Sequence, residues 1–213
     1  MGASNDMDNY IPPSDYFTFD AISADPLEIV EAILASKSGD HSEIRLISNG
    51  VPEFDRLVEG QPAPMDMATM LFLACIDWDL FRDSSKSLDG GRGSREKLGR
   101  WPTEDGNAIA YLIEYIDSPN GTIEDLLAKL TLGFLPEFLG ESGFDKGAHG
   151  LHLMGWITHS EIRELRREIR RGGWGVKADE LFDGGVQDGI RHLDNLLRGA
   201  EKYGVGLLMR RHS

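Results

Sequence analysis

Thr158-His159-Ser160-Glu161-Ile162-Arg163-Glu164-Leu165-Arg166-Arg167-Glu168-Ile169-Arg170-Arg171, closed by Gly172-Gly173, is the stretch from which the rest of the chain can be read. Thr158 and Glu161 have capping-box spacing, in which the hydroxyl accepts from a free backbone N–H while the carboxylate reaches back to the cap's own N–H. The spacing predicts a helix over 160–171. Ile162, Leu165 and Ile169 recur at i, i+3 and i+7, a narrow apolar stripe that must face a core. With Ile162 at zero and about 100° per residue, Arg163, Arg166, Arg167, Arg170 and Arg171 fall between about 40° and 180°, and Glu161, Glu164 and Glu168 between about 200° and 260°. One flank is basic and the other acidic. The i,i+3 pairs Glu164 with Arg167 and Glu168 with Arg171 add only about 0.2–0.5 kcal/mol each.

Upstream of this helix, Leu151 to Ile157 reads as a strand. Downstream, a long helix is expected from Ala178 to Tyr203, with Val186, Ile190, Leu193 and Leu197 on one face and Gly204 as its stop. Val205 to Met209 is a short apolar run that reads as a terminal strand, with Arg210, Arg211 and His212 outside it. Strand, capped helix, long helix and strand together give an α+β arrangement.

The remainder of the chain is mostly helical. Asp25-Pro26 opens a helix whose apolar face is Leu27, Val30, Ile33 and Leu34, ended by Gly39. Residues 43–47 fit either a strand or a helix, because short apolar runs are not decided by period. Pro52 to Val58 is a short helix stopped by Gly60. Residues 66–76 are apolar almost throughout and read as a core helix, with a buried strand as the alternative. Thr103 and Thr122 are placed to cap two further helices, carrying Ile109, Leu112, Ile113 and Ile116, then Ile123, Leu126, Leu127 and Leu130. Pro119-Asn120-Gly121 makes a tight turn between them. The expected architecture is a predominantly helical α+β single domain with a small number of short strands over 25–213. An extended N-terminal segment over 1–24 precedes it, and 84–99, with Asp89-Gly90-Gly91-Arg92-Gly93-Ser94, is a flexible connector.

Charge narrows the partners. The chain of 213 residues carries a formal net charge of −14. Residues 1–106 hold 20 Asp and Glu against 9 Lys and Arg, leaving 16 acids and 13 bases for 107–213. A field of that sign disfavours nucleic acid and anionic membrane, and it speeds encounter with a partner of opposite charge. No stretch is apolar for long enough to span a bilayer. The single cysteine, Cys75, fits a reducing compartment, so a cytoplasmic location is expected.

No Gly-x-Ser-x-Gly, His-Glu-x-x-His, Gly-x-Gly-x-x-Gly or calcium-loop pattern occurs, and neither a cofactor nor a metal is called for. Two constellations remain as catalytic candidates. Asp145, His149, His152 and His159 cluster in sequence, but His149 and His152 would point to opposite sides of a strand, which disfavours joint metal ligation. Asp77 and Asp79 flank Trp78, and their plainer role is bonding local backbone at a helix end.

The expected function is therefore non-enzymatic protein binding of a regulatory, inhibitory or immunity-like kind. It would use the acidic surface or the arginine face of Arg163, Arg166, Arg167, Arg170 and Arg171, whose guanidinium forks suit carboxylates and phosphates. The competing expectation is a small-molecule or metal-dependent enzyme with a pocket near His149, His152, Asp77 and Asp79.

Overall fold

The computed structural model describes residues 15–48, 50–79, 84–85, 88 and 97–212. In chain order the elements are strand β1 (Tyr16–Ile22), helices α1 (Pro26–Lys37), α2 (Ser42–Ile47), α3 (Pro52–Asp55) and α4 (Met67–Cys75), strands β2 (Trp78–Asp79) and β3 (Ser84–Ser85), helix α5 (Ala108–Tyr115) and strand β4 (Ile116–Asp117). Then follow helices α6 (Thr122–Leu132) and α7 (Pro136–Leu139), strand β5 (His152–Ile157), helix α8 (His159–Arg171), strand β6 (Gly175–Val176), helix α9 (Gly185–Tyr203) and strand β7 (Gly206–His212). The chain is a mostly helical α+β single domain.

Its centre is the antiparallel sheet β1-β7-β5, with the C-terminal strand in the middle. Successive strand residues point to opposite faces, and the core divides accordingly. Phe17, Phe19 and Ala21 of β1 and Leu207 and Met209 of β7 join a cluster built from α5, α6, α8 and α9. Ile22, Leu208, Leu153 and Trp156 join a second cluster with α1, α2, α3 and α4. Helices thus cover both faces. The exposed carboxylates Glu28, Glu31, Glu43, Glu53, Asp55 and Glu59 all lie on the second layer, across the sheet from α8.

Several expectations change in detail. From Tyr16 onward the extended N-terminal segment is a sheet strand with Phe17 and Phe19 buried. Residues 43–47 lie in a helix: Ile44 is buried while Leu46 is 81% exposed. Residues 67–75 are a helix too, capped by Asp66, whose Oδ1 accepts from the Thr69 N–H at 2.8 Å. Thr103 does not cap α5. Asn107 does, its Oδ1 accepting from Ile109 and Ala110 at 3.0 and 3.1 Å, so the helix starts at Ala108 and Ile116 falls in β4. At α6 the cap residue is Gly121 at φ +67, which makes Thr122 the first helical residue rather than the cap.

The last helix begins at Gly185 instead of Ala178, because Gly184 turns the chain at φ +76. Glu180 then serves the free end from outside the helix, accepting from the Val186 N–H. The terminal strand runs on to His212, since Arg210 and Arg211 each pair with an aspartate at β1, Asp20 and Asp15. Only Ser84, Ser85, Leu88 and residues 97–99 of the 84–99 connector are among the described residues.

Candidate functional site

Helix α8 forms as its sequence demands. Thr158 is the N-cap, its Oγ1 accepting from the Glu161 N–H at 3.3 Å while Glu161 Oε2 accepts from the Thr158 N–H at 2.8 Å. Ile162, Leu165 and Ile169 are buried as the stripe requires, each removal from water worth about 1.5–3 kcal/mol. Gly172 at φ +74 ends the helix.

Glu161 also fixes α8 to its neighbours. The Lys129 ammonium of α6 donates to both of its oxygens, at 2.7 and 2.8 Å, and itself lies 4.7 Å from the centre of the Trp156 ring. Burial opposes ionisation of Glu161, but the Lys129 and Thr158 donors outweigh it and hold the carboxyl below its ordinary value. A carboxyl lowered by folding stabilises the protein in full above its ordinary pKa of 4.5 and loses that contribution as pH falls through the folded value. We expect Glu161→Gln to be less stable than the parent near neutral pH and to lose less stability on acidification from roughly pH 5 to 3. Denaturant midpoints across that range measure it, and parallel curves for the two proteins would remove Glu161 from the acid response.

The arginine flank is divided by what each guanidinium touches. Arg166 is 8% exposed, and its Nε donates to Asp194 Oδ1 at 2.9 Å while its NH1 bonds the Glu201 carboxylate. It ties α8 to α9. Arg163 lies 4.0 Å from Glu201, Arg167 lies 3.5 Å from both Glu164 and Glu168, and Arg171 lies 3.1 Å from Glu168. The two i,i+3 pairs expected from the spacing are therefore present. Arg170 is exposed, and among the described residues no carboxylate lies within 4.0 Å of it. The five arginines, with Ser160, Glu164 and Glu201, line an open concavity of about 810 Å³.

Asp194 and Glu201 were not anticipated. Their separation of seven residues, two turns on one face of α9, was the available signal. Among the described residues the carboxylates that meet this flank come from α9 and from α8 itself.

The catalytic candidates fall elsewhere. His149 sits in a turn at φ +57, an uncommon conformation for a residue with a side chain. That turn brings it beside His152, the first residue of β5, and both line a cavity of about 200 Å³ with Arg210, Arg211 and His212. Burial, Lys146 and Arg211 lower the His152 pKa, which keeps the ring neutral at pH 7. Asp77 follows α4, its N–H donating to Ala21 O at 2.9 Å, and does not line this cavity. Asp79 is in β2, Asp145 supplies its carbonyl to the Leu153 N–H at 2.7 Å, and His159 opens α8. Among the described residues no group of three or more His, Cys, Asp or Glu is arranged to hold a metal ion. Cys75 is buried and its thiol pKa is raised, above all by burial, so it is not a poised nucleophile. Among the described residues no helix is long and apolar enough to cross a membrane.

No family model, no curated protein and no solved structure matches this chain.

Proposed function

We propose that the protein acts by binding another protein, a regulatory, inhibitory or immunity-like role in the cytoplasm, and that it does so through the arginine face of α8. The observation carrying this reading is the exposure of Arg163, Arg167, Arg170 and Arg171 around one concavity in a chain of net charge −14. Arg170 faces solvent with no carboxylate among the described residues within 4.0 Å, and Arg163 meets Glu201 only at the 4.0 Å limit of an ion pair. Solvated pairs of this kind contribute about 0–1 kcal/mol to stability, so folding alone gives little reason for four arginines on one flank. An acidic protein surface offers the carboxylates that guanidinium forks hold bidentately. A long polyanion such as nucleic acid is repelled by the remaining surface.

Helix α8 is anchored by its buried stripe and by Arg166, which leaves the other arginines open to test. Replacing Arg163, Arg167 and Arg170 together by Glu is expected to abolish capture of a stoichiometric partner from a lysate of the source organism. The melting temperature should stay within about 2–4 °C of the parent's, a change of about 1 kcal/mol for a chain of this size. Retention of the same partner would refute the arginine reading and shift the site to the acidic layer. An equal loss of stability would show the flank to be structural.

A further inference from the structure

Beyond Arg171 the chain does something the arginine face alone does not need. Gly172 turns it at φ +74, and Trp174 folds back so that its Nε1 donates to Ile169 O at 2.9 Å, capping the end of α8. Val176 and Gly175 then pair with Ile116 and Asp117. Between Trp174 and the Ser118-Pro119-Asn120 turn this leaves a second cavity of about 190 Å³, with Ile123 and Gly173 also in its lining. Arg171 lines both this crevice and the arginine concavity, so the two are neighbours.

The side chains of Ser118, Asn120, Glu168 and Trp174 around the crevice already have partners. Ser118 donates its hydroxyl to the Glu124 carboxylate and its N–H to Glu124 Oε1 at 3.0 Å. Glu168 accepts from Arg171 at 3.1 and 3.2 Å and from Asn120 Nδ2 at 3.4 Å, and the indole N–H of Trp174 is spent on Ile169. What the crevice offers an occupant is apolar contact with Pro119, Ile123 and the Trp174 ring. A cavity of about 150 Å³ accepts benzene, so this one admits a phenylalanine or leucine side chain. An apolar anchor seated in a pocket, ringed by charge, is the usual form of a binding hot spot.

We infer that the crevice is the anchor pocket for one large apolar side chain carried by an acidic segment of the partner, with carboxylates flanking the anchor on the arginine side. The inference rests on the arginine-face reading and specifies the chemistry of the partner. Trp174 and Ile123 grip the anchor while Arg171 and Arg167 meet its acidic neighbours. A nucleic-acid base stacked on Trp174 is the less favoured occupant, because a chain of net charge −14 repels the phosphates that come with it.

The test uses a synthetic peptide of glutamates around a single phenylalanine, the same peptide with alanine in that place, and an oligothymidylate of equal length. Affinities are measured by fluorescence anisotropy at low salt, and the 5-fluorotryptophan-labelled protein reports by fluorine NMR. The phenylalanine peptide should bind at least about tenfold tighter than the alanine peptide, the factor a buried aromatic anchor supplies. It alone should shift the Trp174 resonance. In Gly173→Leu the advantage should vanish, since a Cβ at Gly173 meets nothing within 4 Å and the new side chain fills the crevice wall. Equal affinity of the two peptides for the unmodified protein overturns the anchor pocket without help from any variant. If that shared binding is lost on replacing Arg163, Arg167 and Arg170 by Glu, the arginine reading survives; if it persists, or if neither peptide binds, both readings fall. Tighter binding of the oligothymidylate than of either peptide also overturns the proposal and assigns the face to nucleic acid.

Discussion

Gly155→Ala is expected to prevent folding, or to lower stability by about 3 kcal/mol or more, although it adds a single methyl group. Gly155 lies in β5 where α6 crosses it, and a Cβ there would sit 2.0 Å from Lys129 O, 2.7 Å from Gly133 N and 2.7 Å from the Leu130 carbonyl carbon. All three are backbone atoms, which cannot swing aside as a side chain can. Overpacking a core costs about 1–3 kcal/mol when side chains adjust. Here α6 itself must shift, and with it the Lys129 to Glu161 bond and the Phe134 N–H to Met154 O bond. Against a total stability of roughly 5–15 kcal/mol, that loss is large. Gly173→Ala, where nothing lies within 4 Å, is the control and should change stability by no more than about 0.5 kcal/mol. Denaturant melts decide the matter: a Gly155→Ala midpoint equal to the parent's would mean that α6 and β5 do not approach so closely.

The second large effect is expected at Arg210. Its guanidinium donates to both oxygens of Asp20, at 2.5 and 3.1 Å, joining β7 to β1, and it lies 4.6 Å from the centre of the Phe72 ring of α4. The Asp20 side chain is only 5% exposed. Arg210→Met strips that carboxylate of its guanidinium and should cost about 3–5 kcal/mol, as breaking one side of a buried pair usually does. Asp20→Asn combined with Arg210→Met removes both charges of this pair and should recover most of the loss. Additive losses in the double variant would show instead that the two side chains are not coupled.

Where the signal was local, the sequence was readable. Thr158 and Glu161 declared the start of α8 because both partners of the capping box lie within one turn. Asp25-Pro26 did the same for α1, with Asp25 Oδ1 accepting from the Leu27 N–H at 3.1 Å. Reading failed where the deciding partner was distant in the chain. Nothing near Asp20 says that it meets Arg210, so β7 seemed to end at Met209. The Val186 N–H gets its acceptor from Glu180, across the turn at Gly184, so the residue pattern alone places the helix start too early.

The same holds for the candidate site. The basic flank followed from spacing alone, but Arg166 looked equivalent to its neighbours until α9 supplied Asp194 and Glu201. On an unbroken strand His149 and His152 would be separated. The left-handed turn at His149, which puts both on one cavity, has no signature in residue types. The Pro119-Asn120-Gly121 turn is legible by itself, but its meeting with Trp174 beside β4 and β6 depends on a strand pairing some 60 residues apart in sequence.

The position of β7 between β1 and β5 has a consequence for the order in which the molecule assembles. Asp20 and Arg210 are separated by 190 residues, so the first strand of the sheet cannot pair until nearly the whole described chain has been made. Until then Phe17 and Phe19 have no partner strand, and closing a loop of that length must precede any gain from the contacts it allows. The helical layers, rich in short-range contacts, are free to form early, while the sheet they enclose completes last. During synthesis the chain therefore carries an unpaired aromatic strand, the kind of segment on which aggregation and chaperone capture act.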